Sequence, residues 1–225
     1  MMKNNLIQTK LLDLLFPPRC IFCRAPLSQN QSPLTCSTCM DSLPVTAGSG
    51  CFEGTKHTAY VIAPFYYKDT VRRAILDFKY HNRVVFAETL AHFMLQRLQQ
   101  IDEVKKLDLI IPVPLSTKRM RKRGYNQAGL LADFISRGLN IPCEFDLLIR
   151  TRDTRVQNRL NSIQRAQNVQ QAFGCTEALE GKSILLIDDI YTSGATLNSC
   201  AYALKNVGAS KVIAATVAIV EKSSE

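Results

Sequence analysis

A short apolar strand that runs directly into two acids and a bare turn constrains this chain more than any other feature. Residues 183–187 read Ser-Ile-Leu-Leu-Ile, and Asp188 and Asp189 follow them. A run of small residues, 192–196, comes next, and a helical pattern begins within it. Unbroken apolar strands are typical of parallel sheets, and ligands bind beyond the carboxyl ends of such strands. We therefore expect a ligand site at this turn.

The turn has the composition of a phosphate-binding loop. Gly194 permits close approach of the backbone, and amide groups at the start of a helix carry partial positive charge that favours an anion. Three hydroxyls add hydrogen-bond donors: those of Thr192, Ser193 and Thr196. Asp188 and Asp189 would repel a phosphate, so they are predicted to accept from the 2′- and 3′-hydroxyls of a ribose that carries a 5′-phosphate. The alternative is that both acids only cap the helix and bind magnesium.

Two Cys-x-x-Cys pairs near the amino terminus predict a metal site. Cys20 and Cys23 form the first pair and Cys36 and Cys39 the second, with twelve residues between the pairs. Four thiolates supply the closed tetrahedral shell of a structural zinc ion, and the polar segment between the pairs has no core of its own. A disulfide or loose thiols are the alternatives, and a reducing cytosol disfavours a disulfide. Cys51 has no partner pair and reads as a spare thiol.

Strand and helix patterns alternate along the rest of the chain. Strands are predicted over 57–65, 108–113, 145–149, 183–187 and 211–220, and helices over 70–80, 84–98, 126–139 and 195–207. This alternation predicts an α/β fold with a mainly parallel sheet flanked by helices. The glycine-rich segment 46–56 reads as a linker, so we expect an amino-terminal lobe over 1–56 and a second domain over 57–225.

The charge of the chain favours an anionic partner. The net charge is +9, although a basic surface that only solvates the fold is the alternative. Between 118 and 165, eleven Lys and Arg stand against four Asp and Glu, an excess of +7. This excess suits a single-stranded polynucleotide or else a solvated hood over an active site. The residues assigned to nucleic acid, with one tyrosine as a stacking platform, are Arg119, Arg121, Lys122, Arg123, Tyr125, Arg155 and Arg159.

Several motifs occur in an order that resembles a known family. The sequence ILLIDDIYTSGAT resembles the phosphoribosyl-pyrophosphate (PRPP) motif of type I phosphoribosyltransferases. FKY at 78–80, PVPLS at 112–116 and RGYNQ at 123–127 accompany it. Together with the cysteine pairs, this set resembles the ComF family, competence-associated proteins in which a zinc finger is joined to a phosphoribosyltransferase-like domain. Many relatives carry a further Cys-x-x-Cys pair where this chain has only Cys51, which puts a second metal in doubt.

The resemblance implies roles for particular residues. The residues that bind the ribose 5-phosphate of PRPP are then Asp188, Asp189, Tyr191, Thr192, Ser193, Gly194, Ala195 and Thr196. The segment after the 108–113 strand holds the pyrophosphate through Val113, Pro114, Leu115, Ser116, Lys118, Arg119 and Arg123. Magnesium arrives with PRPP, because this ion keeps several waters and takes few protein ligands.

The resemblance also implies a function, in two versions. The first is a protein of natural transformation that handles incoming single-stranded DNA in the cytosol, binds PRPP, and has DNA-uptake proteins at the inner membrane face as partners. The alternative is an active phosphoribosyltransferase of nucleobase salvage, which transfers phosphoribosyl from PRPP to a nitrogen base. No apolar run approaches the ~18 to 20 residues of a membrane helix, and the first eighteen residues read as a short amphipathic helix rather than a secretory signal. A cytoplasmic location is therefore expected.

Overall fold

The structure is a computed structural model that describes residues 17–28, 31–151 and 172–221. The helix predicted at the amino terminus lies outside these residues. So do Arg155 and Arg159, two of the cations assigned to nucleic acid.

The described residues form eight strands and six α-helices. In chain order the strands are β1 (Cys51–Glu53), β2 (Tyr60–Ile62), β3 (Phe65–Tyr66), β4 (Leu109–Pro112), β5 (Leu148–Arg150), β6 (Phe173–Cys175), β7 (Ser183–Tyr191) and β8 (Lys211–Ile219). The helices are α1 (Ser37–Ser42), α2 (Asp69–Tyr80), α3 (Phe86–Leu98), α4 (Thr117–Arg123), α5 (Gln127–Leu139) and α6 (Ala195–Asn206). No described helix is both long and apolar enough to cross a membrane.

Six strands form the central sheet in the order β1–β2–β8–β7–β4, with β3 also paired to β8. Every pair is parallel except β1 with β2. The strands β5 and β6 form a separate antiparallel pair. This arrangement confirms the predicted α/β fold with a mainly parallel sheet.

Helices cover both faces of the sheet, so its central strands have no solvated face. On one face, α2, α3 and α5 pack against alternate residues of β7 and β8, among them Leu185 and Ile213. On the other face, α6 contributes Leu197, Cys200, Ala201 and Leu204, the i, i+3, i+4, i+7 stripe expected of an amphipathic helix. Burial on both faces explains why β7 and β8 read as continuous apolar runs.

Some predicted strand boundaries are wrong, because pairing with a neighbouring strand or a proline residue determines where the strand ends. β7 continues four residues past the predicted end, because the pairs Asp188 with Thr216 and Tyr191 with Ile219 extend its register with β8. The strand predicted over 57–65 is divided into β2 and β3 near Pro64, a residue without an N–H to donate. The segment read as a linker supplies β1, which pairs with β2.

The cysteine-bearing segment packs against the apolar cluster on the sheet face that α2, α3 and α5 cover. The Phe22 ring lies 6.4 Å from the Phe65 ring and 6.3 Å from the Phe93 ring. Arg24 forms an ion pair with Asp77 of α2. The amino-terminal lobe therefore shares one apolar cluster with α2 and α3.

Candidate functional site

The four paired cysteines converge on one point. Their Sγ atoms all lie within 4.8 Å of one another, and Cys23 and Cys36 are 3.6 Å apart. A tetrahedral zinc ion with Zn–S bonds of about 2.3 Å places its sulfurs about 3.8 Å apart, so this cluster fits the ion. Cys20 and Cys39 are buried, whereas Cys23 is exposed. The predicted structural zinc site is therefore present in the fold.

The thiolate form is favoured at one cysteine of this cluster and disfavoured at another, since burial and then the neighbouring cysteines raise the pKa of Cys39. Burial raises the pKa of the Cys20 thiol, but hydrogen bonds from the backbone of Cys23, Cys36 and Phe22 outweigh it and lower the pKa to about 7. Zinc binds the thiolate, so the backbone groups around Cys20 assist binding, whereas the Cys39 thiol has to release its proton to the solvent when the ion binds. Within the described residues, no other group of three or more His, Cys, Asp or Glu side chains is close enough to share a metal.

The turn after β7 has a backbone geometry that requires glycine. Gly194 has a φ of +76° and is the N-cap residue of α6. A Cβ atom there would lie 2.9 Å from the Tyr191 hydroxyl and 2.9 Å from Thr55 Cγ2. Ser193 Oγ accepts from the first amide of α6, that of Ala195, over 3.5 Å, and within the described residues neither of the two acids accepts from this end of the helix. The structure thus gives no support to helix capping by the acids, and magnesium binding by them stays a prediction.

The helix start beyond this glycine is open to solvent. Thr192, Ser193, Ala195 and Thr196 are exposed. In the described part of the chain, no residue accepts from the backbone N–H of Thr196 or Leu197. Unpaired amides at a helix start favour a bound anion, as the sequence predicts for the 5′-phosphate.

The two acids lie within β7 and have different surroundings. The Asp189 carboxylate is buried and its Oδ1 lies 2.8 Å from Lys79 Nζ at the end of α2, with the two side chains 12% and 14% exposed. Lys79 belongs to the FKY segment, but it had no predicted role because its partner lies far along the chain. This buried ion pair is the main site feature that the sequence did not reveal.

The surroundings of Asp188 favour its neutral, protonated form. Burial, followed by the neighbouring Asp189 charge, raises the pKa of Asp188 to about 7, against the opposing effects of the Asp189 N–H, Lys79 and Arg119. The Asp189 N–H donates to Asp188 Oδ1 over 2.8 Å. Because Asp189 is paired with Lys79, Asp188 is the carboxylate that remains for a ribose diol or for magnesium, which prefers carboxylate oxygens.

The predicted pyrophosphate segment lies beside the acids. The Val113 N–H donates to the Ile187 carbonyl over 2.8 Å, which extends the pairing of β4 with β7. Val113 and Ser116 are buried, while Pro114 and Leu115 are partly buried. The segment therefore reaches the same edge of the sheet as the turn.

A helix follows this segment where none was predicted. Ser116 caps α4 by accepting from the Arg119 N–H over 3.3 Å, and Gly124 ends it in the left-handed conformation with a φ of 80°. Both residues are ordinary start and stop signals, so the helix was readable from the sequence. In α4, the side chains of Lys118, Arg119, Arg121 and Lys122 are exposed, and none forms an ion pair with an acid in the described residues.

Arg123 and Tyr125 are held by the protein itself. Arg123 donates to Gln127 Oε1 over 2.8 Å and to the Tyr80 hydroxyl over 3.4 Å. The Tyr125 ring lies 5.8 Å from the Phe78 ring, and its hydroxyl donates to the Phe78 carbonyl. This packing disfavours the predicted role of Tyr125 as a stacking platform.

Similarity to known proteins agrees with this geometry. A model of the phosphoribosyl transferase domain matches residues 126–225, and a model of the double zinc ribbon domain matches residues 11–60. The chain is 29% identical to Competence protein F of Haemophilus influenzae, over 86% of this chain and 93% of that protein. It is 27% identical to DNA utilization protein YhgH of Escherichia coli K12, over 88% and 96% of the two chains. It is 31% identical to Competence protein ComFC of Bacillus subtilis, over 63% and 56%.

The first two of these relatives match over nearly their whole lengths, and the two matched domains occur in the predicted order. The chain is therefore a homologue of these competence and DNA utilization proteins, and in it a double zinc ribbon domain precedes a phosphoribosyl transferase domain, as the resemblance to the ComF family predicts.

Proposed function

We propose that this protein binds PRPP at the β7 edge and handles single-stranded DNA during natural transformation. The observation that carries the ligand assignment is the contact of Val113 with Ile187, 2.8 Å between N and O. This contact brings together the turn, the acids and the cationic helix α4. This arrangement supports binding of an anion, a diol and a second anion side by side, which is the order of groups along PRPP.

Each part of the ligand has a partner in this arrangement. The amides of Thr196 and Leu197 suit the 5′-phosphate. The ionised Asp188 accepts from the ribose hydroxyls, and Lys118 and Arg119 neutralise the diphosphate. Magnesium, when bound, supplies further neutralisation of the diphosphate oxygens.

The DNA role is supported by different observations. Two relatives are named as competence proteins and one as a DNA utilization protein. Helix α4 carries five cations in seven residues and no acid, more than a diphosphate requires. Cations that track phosphates are the main source of affinity for polynucleotides.

Asp188→Asn is expected to weaken PRPP binding at least about tenfold at pH 8, because a charge-assisted hydrogen bond is lost. Wild-type affinity should rise from pH 6 to pH 8 as Asp188 ionises near its pKa of about 7. The variant should lack the rise in affinity that comes from ionisation of Asp188. Any rise that comes from ionisation of the phosphates of PRPP should be the same for both proteins. Calorimetric titration with PRPP and magnesium across this range measures the difference.

Stability provides the control for this variant. The raised pKa means that ionising Asp188 costs folding free energy, so stability falls as pH rises from about 4 through about 7. The variant escapes this loss, and its thermal midpoint at pH 8 should equal or exceed that of the wild type. Asp189 is less suitable for such a test because its removal would leave Lys79 buried without a partner. Equal affinity of the two proteins at pH 8 would refute the assignment of Asp188.

Reversing the charge of Arg121 and Lys122 to Glu should weaken binding of a short oligothymidylate about tenfold or more. It should also lower the slope of log affinity against log salt by about 1.4, since each phosphate contact on a single strand contributes about 0.7. Fluorescence anisotropy over a salt series measures both. The matched control reverses Lys105 and Lys106, two exposed cations just before β4 at the opposite end of the sheet. Equal losses in the two variants would show that only overall charge matters and would remove α4 as the contact.

One observation favours the transferase as a second function. A carboxylate with a pKa of about 7 is suited to accept a proton from a nitrogen base at neutral pH. Pyrophosphate release from PRPP and magnesium with a panel of nucleobases tests this function. Turnover with one base, lost in Asp188→Asn, would establish the protein as an enzyme.

A further inference from the structure

Tyr80 is an exposed aromatic residue beside the cationic helix. It ends α2, where Phe78 is fully buried and Lys79 reaches Asp189. The Tyr80 side chain is 52% exposed, so the core does not account for its aromatic ring. Of these three consecutive residues, the first lies in the core, the second pairs with a buried acid and the third is exposed on the surface.

Two cations of α4 lie near this ring. Lys122 Nζ lies 5.6 Å from the ring centroid and Arg123 Cζ lies 5.0 Å from it. Arg123 is itself held by Gln127 and donates to the Tyr80 hydroxyl. The ring is therefore oriented before any ligand arrives, and little conformational entropy is lost when a planar group stacks on it.

The surroundings of the ring suit a phosphodiester chain. The segment 81–85 that follows Tyr80 is exposed and includes Arg83. In α4, Arg121 and Lys122 have no ion pair with any acid in the part of the chain that the structure describes. An exposed ring beside a cationic helix is an arrangement by which proteins bind the bases and the backbone of a single strand together.

We propose that Tyr80 is the base-stacking residue of a single-stranded nucleic-acid site formed by the end of α2 and by α4. The site rests on the proposed DNA-handling function and replaces Tyr125, whose ring is packed against Phe78. A paired base has no free face for such a ring, so single strands are bound in preference to duplex. The cations of α4 contact the phosphates on either side of the stacked base.

Two substitutions of Tyr80 test the stacking directly. Tyr80→Leu should weaken binding of oligothymidylate by the zinc-loaded full chain about tenfold, the range of one lost stacking contact, without changing the salt slope. Tyr80→Phe, which keeps the ring and loses the hydroxyl contact, should bind within about twofold of the wild type. An abasic oligonucleotide with the same number of phosphates should bind the wild type and Tyr80→Leu equally, because no base is present to stack.

A spectroscopic readout separates stacking from indirect effects. The chain has no tryptophan, so Tyr80→Trp introduces a single reporter at the site. Its fluorescence should be quenched by oligothymidylate and left unchanged by the abasic strand. Binding without quenching, or Tyr80→Leu binding as tightly as the wild type, would overturn the role of Tyr80 and leave the DNA-handling function standing. Failure of the wild type to bind oligothymidylate would overturn both.

Discussion

Cys36→Ser is expected to lose the zinc ion and to unfold the amino-terminal lobe. Three thiolates cannot complete the closed tetrahedral shell, and structural zinc supplies on the order of 10 kcal/mol to a small lobe. Phe22, which contacts Phe65 and Phe93, and Leu43 belong to the apolar cluster shared with α2 and α3. Loss of the ion should therefore expose this cluster and lower the thermal midpoint of the whole chain. Metal analysis, dye binding to apolar surface and calorimetry measure these three effects.

The matched control is Cys51→Ser. Cys51 is exposed in β1 and lies outside the cluster of four, so its loss should leave the zinc content at one ion per chain. A chelator should reproduce the Cys36→Ser phenotype in the wild type and in Cys51→Ser. Full zinc content in Cys36→Ser, or a negligible content in carefully purified wild type, would contradict the assignment of the site.

Lys79→Met is expected to cost about 3 kcal/mol of folding free energy. The substitution leaves the buried Asp189 carboxylate without the cation that now lies 2.8 Å away, and removing one partner of a buried pair is strongly destabilising. Methionine keeps most of the volume of the lysine stem, so the loss reports on charge rather than on a cavity. Denaturant unfolding at neutral pH measures the change.

A double variant distinguishes pairing from simple misfolding. Lys79→Met combined with Asp189→Asn removes the unpaired charge and should recover most of the stability that Lys79→Met loses. Lys105→Met, which breaks an exposed pair with Asp102, should leave stability unchanged. A double variant that is as unstable as the sum of the two single variants would show that Lys79 and Asp189 are not coupled.

The sequence was sufficient wherever a local pattern has one physical solution. The paired cysteines specify a tetrahedral metal site because two Cys-x-x-Cys pairs supply the four thiolates of a closed zinc shell. Gly194 was readable because the turn before a helix start needs a residue without a Cβ. The apolar runs at β7 and β8 predicted buried parallel strands, since strands covered on both faces have no polar alternation.

Contacts between segments far apart in the chain could not be predicted from the sequence. The end of β7 was misplaced because the register with β8, and not the apolar run itself, determines how far the strand extends. Tyr125 was predicted from the sequence to be a stacking platform and Tyr80 was given no role, yet the Tyr125 ring lies against Phe78 while Tyr80 is exposed. Which of two similar rings faces solvent depends on how α2 packs, and no local pattern encodes that.

The sequence by itself determined the fold class, the zinc ligands and the turn, because these depend on residue type and spacing within short segments. Only the tertiary structure decided which acid is free. Lys79 and Asp189 meet because the end of α2 lies beside the end of β7. This contact neutralises the charge of the Asp189 carboxylate, while burial raises the pKa of its neighbour, Asp188. Charge interactions depend on distance through space and on desolvation, neither of which a linear sequence contains.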